Sequence, residues 1–288
     1  MRDRPVRDVI TAHRQVEGDG FEVRRPFPSP DLDLLDPFLL LDHLGPSYSG
    51  PGEGVGTPEH PHRGFETVTY LIEGQLEHRD SLGNGGLLGP GDTQWMTAGA
   101  GIIHQEGPSP AMQASGGTSH GVQLWVNLAA NDKTRPPTYQ DIRATDVATD
   151  IRPDGVIVRV IAGEIFQLVG PGRTHTPITY SHVTMPAGAE ITTSTDPSHH
   201  AAAYVLTGRA SVNGALAAEG QLVVLEDGSD VTLRGIDAST DLLVLTGQPI
   251  GEPVVRYGPF VMNSKAEIIT SIEDFRAGRM GGIAARTI

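Results

Sequence analysis

His60-Pro61-His62 and His104-Gln105-Glu106 lie 44 residues apart, and each sets two metal-ligating side chains one residue from each other. On a β-strand alternate side chains share a face, so each pair aims in a single direction. Two such strands side by side in a small barrel would bring His60, His62, His104 and Glu106 to one interior point. Three neutral imidazoles and a carboxylate are a donor set for a divalent transition metal, which would keep a net charge of about +1 and open coordination positions. Open positions suit catalysis better than a closed structural site does. The chain has no cysteine, which rules out disulfides and thiolate-rich zinc or iron–sulfur sites. Without thiolates, Fe(II) and Mn(II) fit the donors as well as Zn(II).

The elements that must carry these ligands are legible around them. After His62 comes the β-branched, apolar run Thr67-Val68-Thr69-Tyr70-Leu71-Ile72, which ends at a turn, Glu73-Gly74. Before His104 stand a Gly89-Pro90-Gly91-Asp92 turn, a short strand Thr93-Gln94-Trp95-Met96 and the flexible Gly99-Ala100-Gly101. Glycine allows the tight bend that swings a ligand pair inward. His13, His43, His78, His120, His175, His182, His199 and His200 lack such a context and read as surface or core residues. Phe65, Trp95 and Trp125 are candidate apolar pocket walls, with barrel core packing as their simpler role.

The 36 glycines and 22 prolines, many in turn clusters between short apolar stretches, predict an all-β sandwich or barrel architecture. No apolar run approaches the ~20 residues that span a bilayer, and the N-terminus carries no apolar signal core. A cytoplasmic enzyme or binding protein is the expectation. The net charge of −14, with 35 acidic against 21 basic residues, disfavours direct nucleic-acid binding, which draws on basic surfaces. It suits a small-molecule substrate or a protein partner.

The two halves repeat. Tyr70-Leu71-Ile72-Glu73-Gly74 returns as Tyr204-Val205-Leu206-Thr207-Gly208, 134 residues later, and in both halves a second strand and a Gly-led strand follow in the same order. This predicts two copies of one β-barrel, residues 1–132 and 133–288, with Asn131 to Pro137 as a polar linker. The copies differ chemically. His60 and His62 align with Ser194 and Asp196, and His104 and Glu106 with Leu233 and Gly235, so one metal per chain is expected. A helix is predicted from Ala266 to Phe275, capped by Ser264 or Asn263 and ended by Gly278. The apolar Phe260-Val261-Met262 is expected to return to the first barrel.

The H-x-H pair, the glycine turn and the Gly-rich second motif with its histidine resemble the cupin superfamily. The fuller set is similar to the pirin family: Asp36-Pro37-Phe38-Leu39-Leu40-Leu41-Asp42, His60 through Tyr70, Gln94-Trp95-Met96-Thr97-Ala98-Gly99, Gly101 through Glu106, Leu124-Trp125-Val126-Asn127-Leu128 and Gly258-Pro259-Phe260-Val261-Met262-Asn263. The resemblance implies an all-β bicupin, two jelly-roll cupin barrels packed together, with a short C-terminal helix, iron in the first barrel and none in the second. In one respect the chain departs from the general cupin pattern. Glu66 stands one residue too early for the usual carboxylate ligand, which would turn it from the barrel interior and leave Thr67 in that place. The pirin pattern takes its carboxylate from the H-x-E motif, which implies His60, His62, His104 and Glu106 as ligands.

The activity implied is quercetin 2,3-dioxygenation, in which a flavonol's central ring is opened with O2 and carbon monoxide is released. Glu106 would take the proton of the flavonol 3-hydroxyl. The alternative is a non-enzymatic, metal-dependent, redox-sensing regulator that binds a protein partner, a role the resemblance also implies.

Overall fold

The computed structural model describes residues 2–283. It is mostly β-structure, in two compact units. The first barrel comprises Arg14–Val23, Asp42–Asp141 and the C-terminal residues from Ile250. Its larger sheet runs in the order Thr138–Ile142, Thr93–Thr97, Phe65–Glu73, Gly117–Asn127, Phe38–Ser49, Phe21–Phe27, His13–Glu17. Its smaller sheet is ordered Thr57–His62, Ile102–Pro108, Leu76–Asp80, Gly85–Leu88.

The second barrel comprises residues through His13, Arg24–Leu41 and Ile142–Pro249. Its larger sheet runs Val6–Thr11, Gln221–Leu225, His200–Thr207, Thr240–Gly247, Ile178–Met185, Ile157–Ala162, Ala148–Ile151, and its smaller one Glu190–Ser194, Asp230–Gly235, Arg209–Val212, Ala215–Ala218. Strand for strand the two follow one plan, so the repeat in the sequence is a repeat of cupin barrels.

The interior of the second barrel is apolar. Val158, Val183, Ile191, Val205, Leu233 and Leu242 belong to one buried cluster that both of its sheets feed. Leu233, the residue aligned with His104, lies directly opposite Ile191, as His104 lies opposite His60 in the first barrel. Ser194 and Asp196 are exposed and bonded to Asp230 and Ser198.

The chain is divided differently from the simple halves expected at 132/133. Val6–Thr11 forms the edge strand of the second barrel, with Val9 paired to Val223. Residues 42–141 stay in one unit, and the segment expected to be a polar linker lies inside it, anchored by one buried lysine. Lys133 is 1% exposed, and its ammonium donates to Asn127 Oδ1 at 2.6 Å, the Gly64 carbonyl at 2.7 Å and the Val261 carbonyl at 3.1 Å. Three oxygen acceptors satisfy its three N–H groups, which is what allows a cation to be buried. Composition alone does not reveal such partners.

The C-terminal helix spans Lys265–Arg276. The Ser264 hydroxyl accepts from the Glu267 amide at 3.3 Å, while the Glu267 carboxylate accepts from the Asn263 amide at 3.1 Å, a reciprocal cap for the first turn. Gly278, at φ +73°, ends it in the left-handed region. A shorter helix, Pro110–Ser115, capped by Ser109, has no counterpart in the sequence reading. No described helix is long and apolar enough to cross a membrane.

Candidate metal centre

His60 and His104 face each other across the antiparallel pair formed by Thr57–His62 and Ile102–Pro108. His62, two residues on from His60, shares its face. The three rings converge, with centroids 4.6 Å apart for His60–His62, 4.3 Å for His60–His104 and 4.9 Å for His62–His104. Their ligating nitrogens lie within 4.8 Å of one another, the one such group of three among the described residues.

The chemistry of the rings fits a cation. Burial lowers the pKa of His60 and holds His62 and His104 well below the ordinary imidazole value. His60 adds to the fall at His62, against the pull of the Pro259 carbonyl, and both neighbours add to it at His104. The rings are therefore neutral, with lone pairs to give. His60 Nδ1 sits 2.8 Å from the Pro58 carbonyl. Donation there leaves Nε2 free to ligate, the usual support of a metal-bound histidine. His60 Nε2 and His62 Nε2 are 2.9 Å apart, about the separation of two nitrogens ~2.1 Å from a common cation at a right angle. Both ring nitrogens of His104 are buried without a hydrogen-bond partner, so a cation there would satisfy an otherwise orphaned donor atom.

Glu106 is placed next to this group and outside it. It follows His104 by two residues and shares its face, but its carboxylate accepts from Thr69 Oγ1 and from Gln123 Nε2, each at 3.2 Å. The Trp125 indole donates to Gln123 Oε1 at 3.0 Å, which fixes the amide with its NH2 toward Glu106. Burial raises the Glu106 pKa, and the Thr69 and Gln123 hydrogen bonds oppose the rise.

Phe65 and Trp125 stand against His62 at ring distances of 5.1 and 5.2 Å and 4.3 Å from each other. Trp125 is partly exposed and meets His62 edge to face. Trp95 does not. It pairs with Val68, on the face of the Phe65–Glu73 strand opposite to Thr67 and Thr69, and is fully buried there. Glu66 lies on that face too. Its carboxylate accepts from Thr97 Oγ1 at 2.7 Å, and burial raises its pKa to about 7 against the lowering effect of that bond.

The role of Thr69 and Gln123 as anchors of Glu106 is absent from the sequence reading. Alternation was their available signal, since Thr69 is two residues from Thr67 and Gln123 two from Trp125. His78, taken as an ordinary histidine, is buried with neither ring nitrogen hydrogen-bonded and stacks on Tyr139 at 5.5 Å.

Comparison with known proteins accords with this geometry. The sequence profile of Pirin matches residues 20–126, and that of the Pirin C-terminal cupin domain matches residues 180–281. A Pseudomonas aeruginosa protein that bears the name "Putative quercetin 2,3-dioxygenase" is 45% identical over 275 residues, which cover 93% of this chain and 95% of that one. The pirin of Rattus norvegicus is 39% identical over 284 residues, covering 96% and 94%. The crystal structure of a quercetin 2,3-dioxygenase from Acinetobacter baumannii superimposes with a TM-score of 0.92 at 40% identity, covering 98% of this chain and 100% of that one. With both profiles matched in order and relatives aligned over nearly their whole lengths, the chain belongs to the pirin family.

Proposed function

We propose that this protein is an iron-dependent dioxygenase of the quercetin 2,3-dioxygenase type, with one Fe(II) per chain held by His60, His62, His104 and Glu106. The observation that carries this reading is the cluster of three neutral imidazoles, two buried and one half-buried, bordered by a carboxylate and by the partly exposed Trp125. The names of the P. aeruginosa and A. baumannii relatives support the reaction class.

When bound, a divalent metal supplies Lewis acidity that lowers the pKa of a hydroxyl placed against it. The remaining work falls to the chain itself. Trp125, partly exposed and backed by the buried Phe65, gives an apolar wall for an aromatic substrate such as a flavonol. Glu106 receives the proton of the substrate's 3-hydroxyl on a carboxylate oxygen. Rotation away from Thr69 and Gln123 would bring the same carboxylate to the metal. Gln123 and Thr69 favour its charged form and orient it in the meantime.

Oxygen uptake by the iron-loaded protein with quercetin, together with carbon monoxide release, tests the proposal. Uptake with stoichiometric carbon monoxide supports it, and no uptake removes it for that substrate. A redox-sensing role with a protein partner, which the acidic surface suits, would then lead.

A further inference from the structure

Two cations, the half-buried Arg63 and the buried Lys133, hold the turns that flank the ligands, and both are anchored in the C-terminal segment of the first barrel. Arg63 stands between the ligand His62 and the turn residue Gly64. Its Nε donates to the Ala100 carbonyl at 2.5 Å, and its Nη1 pairs with Asp274 Oδ2 at 2.7 Å. Ala100 belongs to the glycine turn that leads into the His104 strand, so one side chain ties the two ligand-bearing strands to each other and to the C-terminal helix. Lys133 repeats the arrangement from the other side, donating to the carbonyls of Gly64 and Val261 and to Asn127.

The backbone follows suit. The Gly64 amide donates to the Gly99 carbonyl at 2.9 Å and the Val261 amide to the Arg63 carbonyl at 3.1 Å. A Cβ at Gly64, which sits at φ +89°, would collide with the Val261 carbonyl oxygen. Beside His104, the Ile103 amide donates to Ser81 Oγ at 3.1 Å, and Ser81 Oγ donates to the Met280 carbonyl at 2.8 Å. Ile103 also packs with Phe260, Met262, Ile268 and Met280. Residues next to two of the three histidines are thus bonded directly or through one side chain to residues 261–280.

We propose that Arg63 and Lys133 are positioning residues for the histidine cluster, and that the C-terminal segment, through them, sets the geometry and the tightness of metal binding. The inference rests on the reading of that cluster as a metal site. Neither residue belongs to the histidine group itself. Each fixes the turn from which a ligand strand departs, and an imidazole nitrogen displaced by a few tenths of an ångström loses much of its bond. By linkage, the metal must in turn hold the clasp closed.

Cobalt(II) is the probe, since its visible absorption reports the symmetry of its ligands while chelator competition reports its affinity. Full-length Arg63→Met, Lys133→Met and Asp274→Asn are compared with wild type at a temperature where each is folded by circular dichroism. Arg209→Met, which breaks an exposed pair with Asp237 in the second barrel, is the control. Arg63→Met and Lys133→Met should raise Kd about 10–100-fold, the range for supporting groups around metal ligands, and alter the cobalt spectrum. Asp274→Asn should do so less, and the control not at all. Normal affinity and spectrum in folded Arg63→Met and Asp274→Asn would overturn the inference.

Should the Arg63 or the Lys133 substitution prevent folding, wild-type protein still decides the matter by hydrogen exchange with and without zinc. Protection of the Gly64 and Val261 amides should rise at least about tenfold on loading, and unchanged protection would overturn the clasp. Wild type that binds no cobalt defeats the metal reading and this inference with it, whereas binding that the variants leave untouched defeats this inference alone.

Discussion

Gln123 donates to Glu106 through an amide whose orientation the Trp125 indole fixes, so the carboxylate beside the histidine cluster meets a donor that has no acceptor face turned to it. Gln123→Leu would leave that oxygen of a half-buried carboxylate without its partner, at a cost of about 1 kcal/mol. The urea midpoint of metal-free protein should fall accordingly with the slope unchanged. Trp125→Phe removes only the orienting N–H and should cost less. Equal midpoints for wild type and Gln123→Leu would contradict the account.

Glu106→Gln keeps the size and a carbonyl oxygen but cannot take up the substrate proton. It should retain much of its metal while ring cleavage falls about 10²–10⁴-fold. His104→Ala should lose metal and turnover together. A Glu106→Gln enzyme with normal turnover would remove Glu106 from the chemistry.

Metal content itself is the third test. The first barrel holds the three-histidine group, and the aligned Leu233 sits in an apolar core, so elemental analysis should give one metal per chain and none in His62→Ala/His104→Ala. Chelation should lower the melting temperature, because a ligand at about 100 times its Kd stabilises the native state by about 2.7 kcal/mol. Two metals per chain would refute this.

Glu66 supplies a pH signature. Its pKa is raised from 4.5 to about 7 on folding, so between those values the folded chain holds a proton that the unfolded chain has released. Stability from this group is present below pH 4.5 and is lost as pH rises through 7. Glu66→Gln keeps an acceptor for Thr97 and cannot ionise. Relative to wild type, metal-free in both cases, it should therefore gain stability from pH 4.5 to 7.5, on the order of 3 kcal/mol. A stability difference that does not change with pH would rule out a raised Glu66.

The three histidines were legible in the sequence because strand periodicity is local: His60 and His62 share a face by spacing alone, and the glycine turn before His104 announces its return. The reading of Glu66 as turned from the barrel interior rested on the same parity, and its bond to Thr97 agrees. What periodicity does not carry is the identity of distant partners. The residues around Lys133 look like a solvated linker, since nothing local says that Gly64, Asn127 and Val261 will each offer an oxygen. Glu106 shows the limit most plainly. Its phase was readable, but whether its carboxylate turns to the histidines or to Thr69 and Gln123 depends on strands 37 and 17 residues away.

The tie between Arg63 and Asp274 has a consequence for the order in which the protein is made. A ribosome adds about 5–20 residues per second, so the roughly 200 residues between them take about 10–40 s to emerge. The strands that carry the three histidines are complete well before the segment that steadies them exists, and the second barrel, whose last residues precede 250, is finished sooner than the first. The barrel that has most of its strands early is thus closed last, and a nascent chain would meet metal with its ligands made and their brace still inside the ribosome.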